Sequence, residues 1–275
     1  MESFEIQGSS GLTITFDLDR CSLENAPLII FLHGFKGFKD WGQWPVLGKE
    51  MSQMGMSVLR MNFSHNGTTS KTPIDFTNLE AFGKNTFSKE IEDVKKVVEW
   101  ISNNDALTDT NIHIMAHSRG GAIGLIALNE IPNIKSLVTL SGVGNLVRFS
   151  ESELAYWKQN GIIYAENGRT NQQMPLRYSL AEDFLLNEKR FAPMEVVKSI
   201  TKPYLIIHAE KDETVLLTEA KKLAENGKTA ILKIISGANH SFGGMHPYSG
   251  KKLPKDTETA MDMTINFIKN IEQLH

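Results

Sequence analysis

Apolar residues recur along the chain with two periods, and the alternation between those periods outlines a fold. Residues 4–7 and 12–18 alternate apolar and polar on either side of Gly-Ser-Ser-Gly, the pattern of an antiparallel hairpin. Pro27 then opens Leu28-Ile29-Ile30-Phe31-Leu32, a continuous apolar run too short for a helix and suited to a parallel strand buried on both faces. Further strands are expected at 57–62, 112–115, 134–140, 204–208 and 230–235. Helical stretches lie between them, at about 41–54, 86–103, 122–130 and 257–271. Within 86–103, Phe87, Ile91, Val94, Val98 and Ile101 are spaced so that they share one helical face. Lys89, Glu92, Asp93, Lys96 and Glu99 form the other face, which reads as a solvated surface with charge pairs four apart. Strands alternating with helices predict an α/β fold: a mostly parallel sheet with helices on both faces and the N-terminal hairpin as its antiparallel edge.

The alternation stops between 145 and 202. Residues 150–160 and 179–187 read as helices, and Ile162-Ile163-Tyr164-Ala165 leads to Asn167-Gly168, a hairpin signal whose two central positions call for positive φ. An insertion of this length between two sheet strands is too long for an ordinary loop. The chain is therefore expected to divide into a core, 1–144 with 203–275, and a small inserted cap, 145–202, over the carboxyl edge of the sheet. There is no internal repeat and no low-complexity tract.

Composition narrows the function classes. The 275 residues carry 29 Lys and Arg against 32 Asp and Glu, and a formal net charge of -3 offers no field to recruit nucleic acid or an anionic membrane. Cys21 is the single cysteine, so no internal disulfide framework can form, and a reducing compartment fits. The first residues lack a basic stretch followed by an apolar run, and no apolar run approaches membrane-spanning length. The expectation is a cytoplasmic protein with neither membrane nor nucleic acid as a partner.

Candidate chemistry centres on 111–121, which compresses a strand, a sharp turn and a helix start around Ser118. Ala116, Gly120 and Gly121 are small enough to let a strand reverse steeply while the residue at the apex is held in a strained conformation, as in a nucleophile elbow. Ala116 departs from the G-x-S-x-G pattern at its first glycine. A serine hydroxyl is a weak nucleophile at neutral pH and needs a base, commonly a histidine held in one tautomer by a carboxylate. Two later strands run out into loops that carry such groups, Ala209-Glu210-Lys211-Asp212-Glu213 and Gly237-Ala238-Asn239-His240. In a parallel sheet both loops emerge at the edge where Ser118 lies, and serine, then acid, then histidine is the order belonging to this architecture.

Taken together, His33-Gly34-Phe35, His117-Ser118-Arg119-Gly120-Gly121, Asp212 in Lys-Asp-Glu-Thr-Val and His240 in Gly-Ala-Asn-His resemble the motifs of the α/β-hydrolase superfamily, over nearly the whole chain. Within it the chain most resembles the dienelactone hydrolase and prolyl-oligopeptidase-like group, which includes cinnamoyl and feruloyl esterases. The resemblance implies the α/β-hydrolase fold, with Ser118 as nucleophile, His240 as general base and then acid, and Asp212 orienting His240. Glu210, Glu213 and Asp183 are the competing carboxylates. Backbone N–H groups of Phe35 and Arg119 are implied as the oxyanion hole. The implied activity is a serine hydrolase acting on a small or medium carboxylic ester, aromatic esters included, through an acyl-enzyme and without a cofactor. An aminopeptidase or amidase with the same triad, and a non-catalytic binding protein on the same fold, are the alternatives.

In the cap, Trp157, Tyr164, Met174 and Phe184 are candidates to line an acyl or aromatic pocket, with ordinary packing as the competing account of each. Arg148 and Arg169 are candidates to meet a substrate carboxylate. His33 and His117 flank the site as structural residues, and His65 and His246 read as loop residues. His113 and His117 could share a metal on a helix, but four residues of extended strand separate them by roughly 13 Å. With no Cys-x-x-Cys pair, and Gly34-x-x-Gly37 too short for a phosphate-binding signature, neither metal nor nucleotide is expected.

Overall fold

The apolar runs become strands packed on both faces. In the computed structural model, which describes residues 1–273, β1 (Glu2–Gln7) and β2 (Thr13–Asp19) form an antiparallel hairpin. β3 (Leu28–Leu32), β4 (Ser57–Asn62), β5 (Ile112–His117) and β6 (Ile134–Leu140) follow, and β7 (Ile162–Asn167) with β8 (Gln172–Arg177) makes a separate antiparallel pair. β9 (Tyr204–Ala209) and β10 (Ala230–Ile235) complete a mixed eight-stranded sheet in the order β1-β2-β4-β3-β5-β6-β9-β10. From β4 to β10 every pairing is parallel, and β2 joins β4 antiparallel. The expected N-terminal edge is thus present.

The helices are α1 (Trp44–Gln53), α2 (Leu79–Gly83), α3 (Phe87–Ser102), α4 (Arg119–Glu130), α5 (Glu151–Asn160), α6 (Ser179–Leu186), α7 (Pro193–Ser199), α8 (Leu217–Asn226) and α9 (Lys255–Glu272). Successive residues of a strand point to opposite faces. Phe31, Met115, Val138 and Ile207 accordingly pack with Trp44 of α1 and Met261 and Ile265 of α9, while Ile30, Ile114, Leu137 and Ile206 share the other layer with Ile91 of α3 and Ile123 of α4. Each such side chain, when fully buried, contributes about 1.5–3 kcal/mol. Among the described residues no helix is long and apolar enough to cross a membrane.

Several local expectations need correction. The first long helix begins at Trp44 rather than at residue 41, because Gly42 has φ 58° and Pro45 sits in the first turn, where its missing N–H is harmless. The charged face of α3 is not wholly solvated: Asp93 is buried and accepts from the Ser9 amide (2.8 Å), the Ser9 hydroxyl (2.6 Å) and the Ser64 amide (2.7 Å). Loops after β1 and β4 cover that part of the helix, which periodicity within the helix does not reveal. Lys89 donates to the Lys84 carbonyl instead of pairing with Asp93. In the β7–β8 hairpin the positive φ falls on Asn171 (55°), not on Asn167-Gly168, so the loop is longer than the two-residue turn expected. Between 145 and 202, α7 packs against α4 and α8, while β8 packs on α2 and α6 on α3.

Candidate active site

β5 ends at His117 and α4 begins at Arg119, so the chain reverses through Ser118 alone, with φ 55° and ψ -123°. A non-glycine residue there carries about 1–3 kcal/mol of strain. Three backbone hydrogen bonds hold it: the Ser118 amide donates to the Leu140 carbonyl (3.0 Å), and the Ser118 carbonyl accepts from the amides of Gly121 (2.9 Å) and Val143 (3.2 Å). The start of α4 passes so near the end of β3 that a Cβ on Gly120 would lie 2.6 Å from the His33 carbonyl oxygen and 2.7 Å from that of Leu32. Ala116 is fully buried, and its methyl group lies 3.3 Å from where a Cβ on Gly124 of α4 would stand. α4 thus faces the Ala116 methyl group with a glycine, and Leu137 (2.9 Å) and Ile114 (3.1 Å) would stand nearer still to a Cβ there.

The loops after β9 and β10 bring Asp212 and His240 to the same edge. His240 Nδ1 lies 2.7 Å from Asp212 Oδ2, and His240 Nε2 lies 3.1 Å from Ser118 Oγ. The Asp212 side chain is buried, and its Oδ1 accepts from the amides of Thr214 (2.9 Å) and Val215 (2.8 Å). Burial works to raise this carboxyl, but the His240 ring, the Val215 amide and the Ser141 hydroxyl outweigh it and hold it at about 2. Asp212 is thus ionised at neutral pH, which favours the His240 tautomer protonated on Nδ1 and turns the Nε2 lone pair toward the serine hydroxyl. The competing carboxylates are engaged elsewhere: Glu210 with Ser236 and Gly237, Asp183 with Ser88, while Glu213 is exposed.

The flanking histidines brace the site. His117 Nε2 donates to the His240 carbonyl (2.9 Å), tying the histidine loop to the residue before Ser118. Burial and the neighbouring His240 ring push His117 down to about 3, and burial pushes His33 to about 4, so both stay neutral. His113 lies away from the site, bonded to Ser136 (2.8 Å) and Glu272 (3.1 Å). His65 is buried beside Ser64, and His246 Nδ1 accepts from the Gly42 amide.

Neither the Phe35 nor the Arg119 backbone N–H donates to another group among the described residues. The Arg119 guanidinium lies over the Phe35 ring (4.7 Å to its centroid) and donates to Glu90 Oε1 (2.5 Å), which also accepts from Asn85 (2.7 Å). Glu90 is buried, and desolvation raises its carboxyl against the opposing pull of Arg119. One buried ion pair therefore anchors the side chain that follows Ser118.

Ser118 opens on a cavity of about 240 Å³ with apolar walls from Phe87, Leu146, Phe149, Leu176, Leu180 and Val215. None of the four expected cap residues lines it. Trp157 is buried behind the wall, its ring tilted against Phe149 (centroids 5.0 Å apart) and its Nε1 donating to the Leu176 carbonyl (2.8 Å); Met174 is wholly buried; Phe184 packs edge-on against Phe87; Tyr164 is 59% exposed. The hairpin turns Leu176 inward and leaves Tyr164 outside. Leu146 and Phe149 had a signal of their own, since they lie in the loop that leaves the carboxyl end of β6, as Val215 lies in the loop that leaves β9. Arg148 reaches the cavity but is bonded twice to Glu219 (2.8 and 2.9 Å) and to the Thr214 carbonyl; Arg169 donates to the Ile74 carbonyl instead of lining the cavity.

This fold has known relatives. A sequence profile of the α/β hydrolase fold family matches residues 27–186, and the chain belongs to that family. A comparison with curated protein sequences gives no match. Among solved structures, the chain is similar to Est1E from Butyrivibrio proteoclasticus with ferulic acid bound, at 21% identity over 97% of this chain and 99% of that one, with a TM-score of 0.74. It is also similar to a monoglyceride lipase from Saccharomyces cerevisiae (14% identity, 98% and 94% covered, TM-score 0.73) and to a dienelactone hydrolase from Anabaena variabilis (13%, 98% and 97%, 0.65). At these identities the likeness speaks for the fold.

Proposed function

We propose that the protein is a serine esterase that cleaves small or medium carboxylic esters through an acyl-enzyme. The observation that carries this reading is the unbroken run from Ser118 Oγ to His240 to a buried, ionised Asp212, at 3.1 and 2.7 Å. Ser118 Oγ bonds to the ester carbonyl carbon as its proton passes to His240 Nε2. The amides of Phe35 and Arg119 meet the developing oxyanion, a single such donor being worth about 3 kcal/mol of barrier. The carbon–oxygen bond to the alcohol then breaks, and His240 returns its proton to the departing oxygen. Water attacks the acyl carbon, gives a proton to His240, and the acid leaves as Ser118 regains its hydrogen.

The segment 145–202 acts as a cap, with Phe149, Leu176 and Leu180 shaping the acyl side. Both arginines considered for a substrate carboxylate are already bonded within the chain, which favours an uncharged acyl group. Est1E holds ferulic acid, so aromatic acyl groups belong in the first panel of substrates. The test is hydrolysis of p-nitrophenyl butyrate together with labelling by a fluorophosphonate. Ser118→Ala should abolish labelling and remove nearly all turnover, and unchanged turnover in that variant would overturn the assignment.

A further inference from the structure

The two amides assigned to the oxyanion hole are held by different means. Arg119 opens α4, and its N–H is fixed with the helix. Phe35 sits in the loop after β3, where the one backbone–backbone hydrogen bond within residues 34–37 runs from the Gly37 amide to the Gly34 carbonyl (3.0 Å). Lys36 beside it has φ 56°, a left-handed conformation that a residue with a side chain rarely holds unless its surroundings impose it. The loop nonetheless lies hard against the elbow, since a Cβ on Gly34 would stand 2.9 Å from Ser118 Cβ. A misplacement of about 1 Å in such a site costs on the order of a hundredfold in rate, so the Phe35 amide needs a hold that its own backbone does not supply.

Side chains supply it. The Arg119 guanidinium lies over the Phe35 ring, 4.7 Å from its centroid, and the Phe82 ring is tilted against Phe35 at 5.8 Å. A planar cation is attracted to the face of an aromatic ring and stacks on it. The guanidinium is held in turn by Glu90 of α3 (2.5 Å), whose carboxylate also accepts from Asn85 (2.7 Å). Glu90 is 1% exposed, so water and salt do little to screen its pull. The two residues assigned to the oxyanion hole therefore touch through their own side chains, and Glu90 fixes that contact from inside the protein.

We infer that Glu90 is a positioning residue for the oxyanion hole: it holds the Arg119 guanidinium against the Phe35 ring and so sets the Phe35 amide beside Ser118. The inference rests on the esterase reading and gives the side chains behind the two amides a part in it.

The test compares Glu90→Leu, Glu90→Gln and Phe35→Leu, with kcat counted per Ser118 labelled to completion by a fluorophosphonate, so that unfolded molecules drop out. All three leave both amides in the chain. In p-nitrophenyl butyrate hydrolysis Glu90→Leu should lower kcat at least about tenfold with KM within about threefold of wild type. Inhibition by a butyl trifluoromethyl ketone, whose adduct with Ser118 carries an oxyanion, should weaken by a similar factor. Glu90→Gln keeps an acceptor for Arg119 and should recover most of both losses. Phe35→Leu removes the ring on which the guanidinium rests, and joining it to Glu90→Leu should add less than about twofold to the larger single loss, because the two act along one line. An unchanged kcat per labelled site in Glu90→Leu, a change in KM alone, or losses that multiply in the double variant would each overturn the inference. Where Glu90→Leu does not fold, Arg119→Lys takes its place, since lysine keeps the amide and the charge but not the planar group, and an unchanged kcat there is equally fatal. A wild type that neither labels nor releases p-nitrophenolate fails the esterase reading itself; an active wild type with unchanged variants fails this inference alone.

Discussion

Replacing Gly120 by alanine tests how far the site depends on the closeness of α4 to β3. The added carbon meets the His33 and Leu32 carbonyl oxygens at 2.6 and 2.7 Å, where ordinary contact begins at 3.4 Å. Both obstacles are backbone, so neither can rotate away, and the gap must widen by roughly 0.8 Å in an interior packed to crystal density. Two effects on stability oppose each other. Overpacking costs about 1–3 kcal/mol, whereas alanine is favoured over glycine within a helix by about 1 kcal/mol. The net loss should be about 1 kcal/mol, read as a lower urea midpoint at constant m. Activity should suffer more, because the elements pushed apart carry the amides of Arg119 and Phe35. Loss of one oxyanion donor is worth about a hundred- to a thousandfold in kcat, so partial misplacement should lower kcat about ten- to a hundredfold with a smaller change in KM. p-Nitrophenyl butyrate hydrolysis measures both constants. Gly168→Ala is the control, since a Cβ there meets nothing within 4 Å. A kcat within about twofold of wild type for Gly120→Ala would refute the reasoning, because the contact would then be soft.

Three further predictions concern the charges around the site. Asp212→Asn keeps the shape but stops fixing the His240 tautomer, and kcat should fall by about 10³–10⁴ with the urea midpoint little changed; a drop below tenfold excludes Asp212 from that role. Arg119→Ala leaves Glu90 buried without its cation and should cost about 3–5 kcal/mol in denaturant unfolding, whereas replacing both by apolar residues should recover most of that loss. Burial depresses His33 and His65 to about 4 and His117 to about 3, while the unfolded chain takes up these protons near pH 6.5. Their contribution is therefore complete above pH 6.5 and is lost as the pH falls toward 4, by up to about 4 kcal/mol per pH unit when all three titrate. Urea midpoints at pH 7, 6 and 5 check this, and a midpoint independent of pH would contradict it.

The strands were legible because each is a run of apolar residues whose length separates it from a helix: β4, β6 and β10 begin and end where the pattern does. Ser118, Asp212 and His240 could be chosen because a parallel sheet brings the carboxyl ends of its strands to one edge, so position along the chain already implied position in space. What escaped was set by contacts between elements. Asp93 reads as surface until Ser9 and Ser64 are brought against it, and Trp157 reads as a pocket aromatic until the wall formed by Phe149 and Leu176 is seen in front of it.

A Cβ on Gly124 would stand 2.9 Å from Leu137 Cδ1 and 3.1 Å from Ile114 Cγ2, ahead of the Ala116 methyl group at 3.3 Å. The approach of α4 to the sheet is thus set by three side chains on two neighbouring strands, of which Ala116 is only one. A glycine is needed at position 124 whichever small residue stands at 116. The elbow therefore leans on a glycine that the familiar signature, which stops one turn earlier, does not contain.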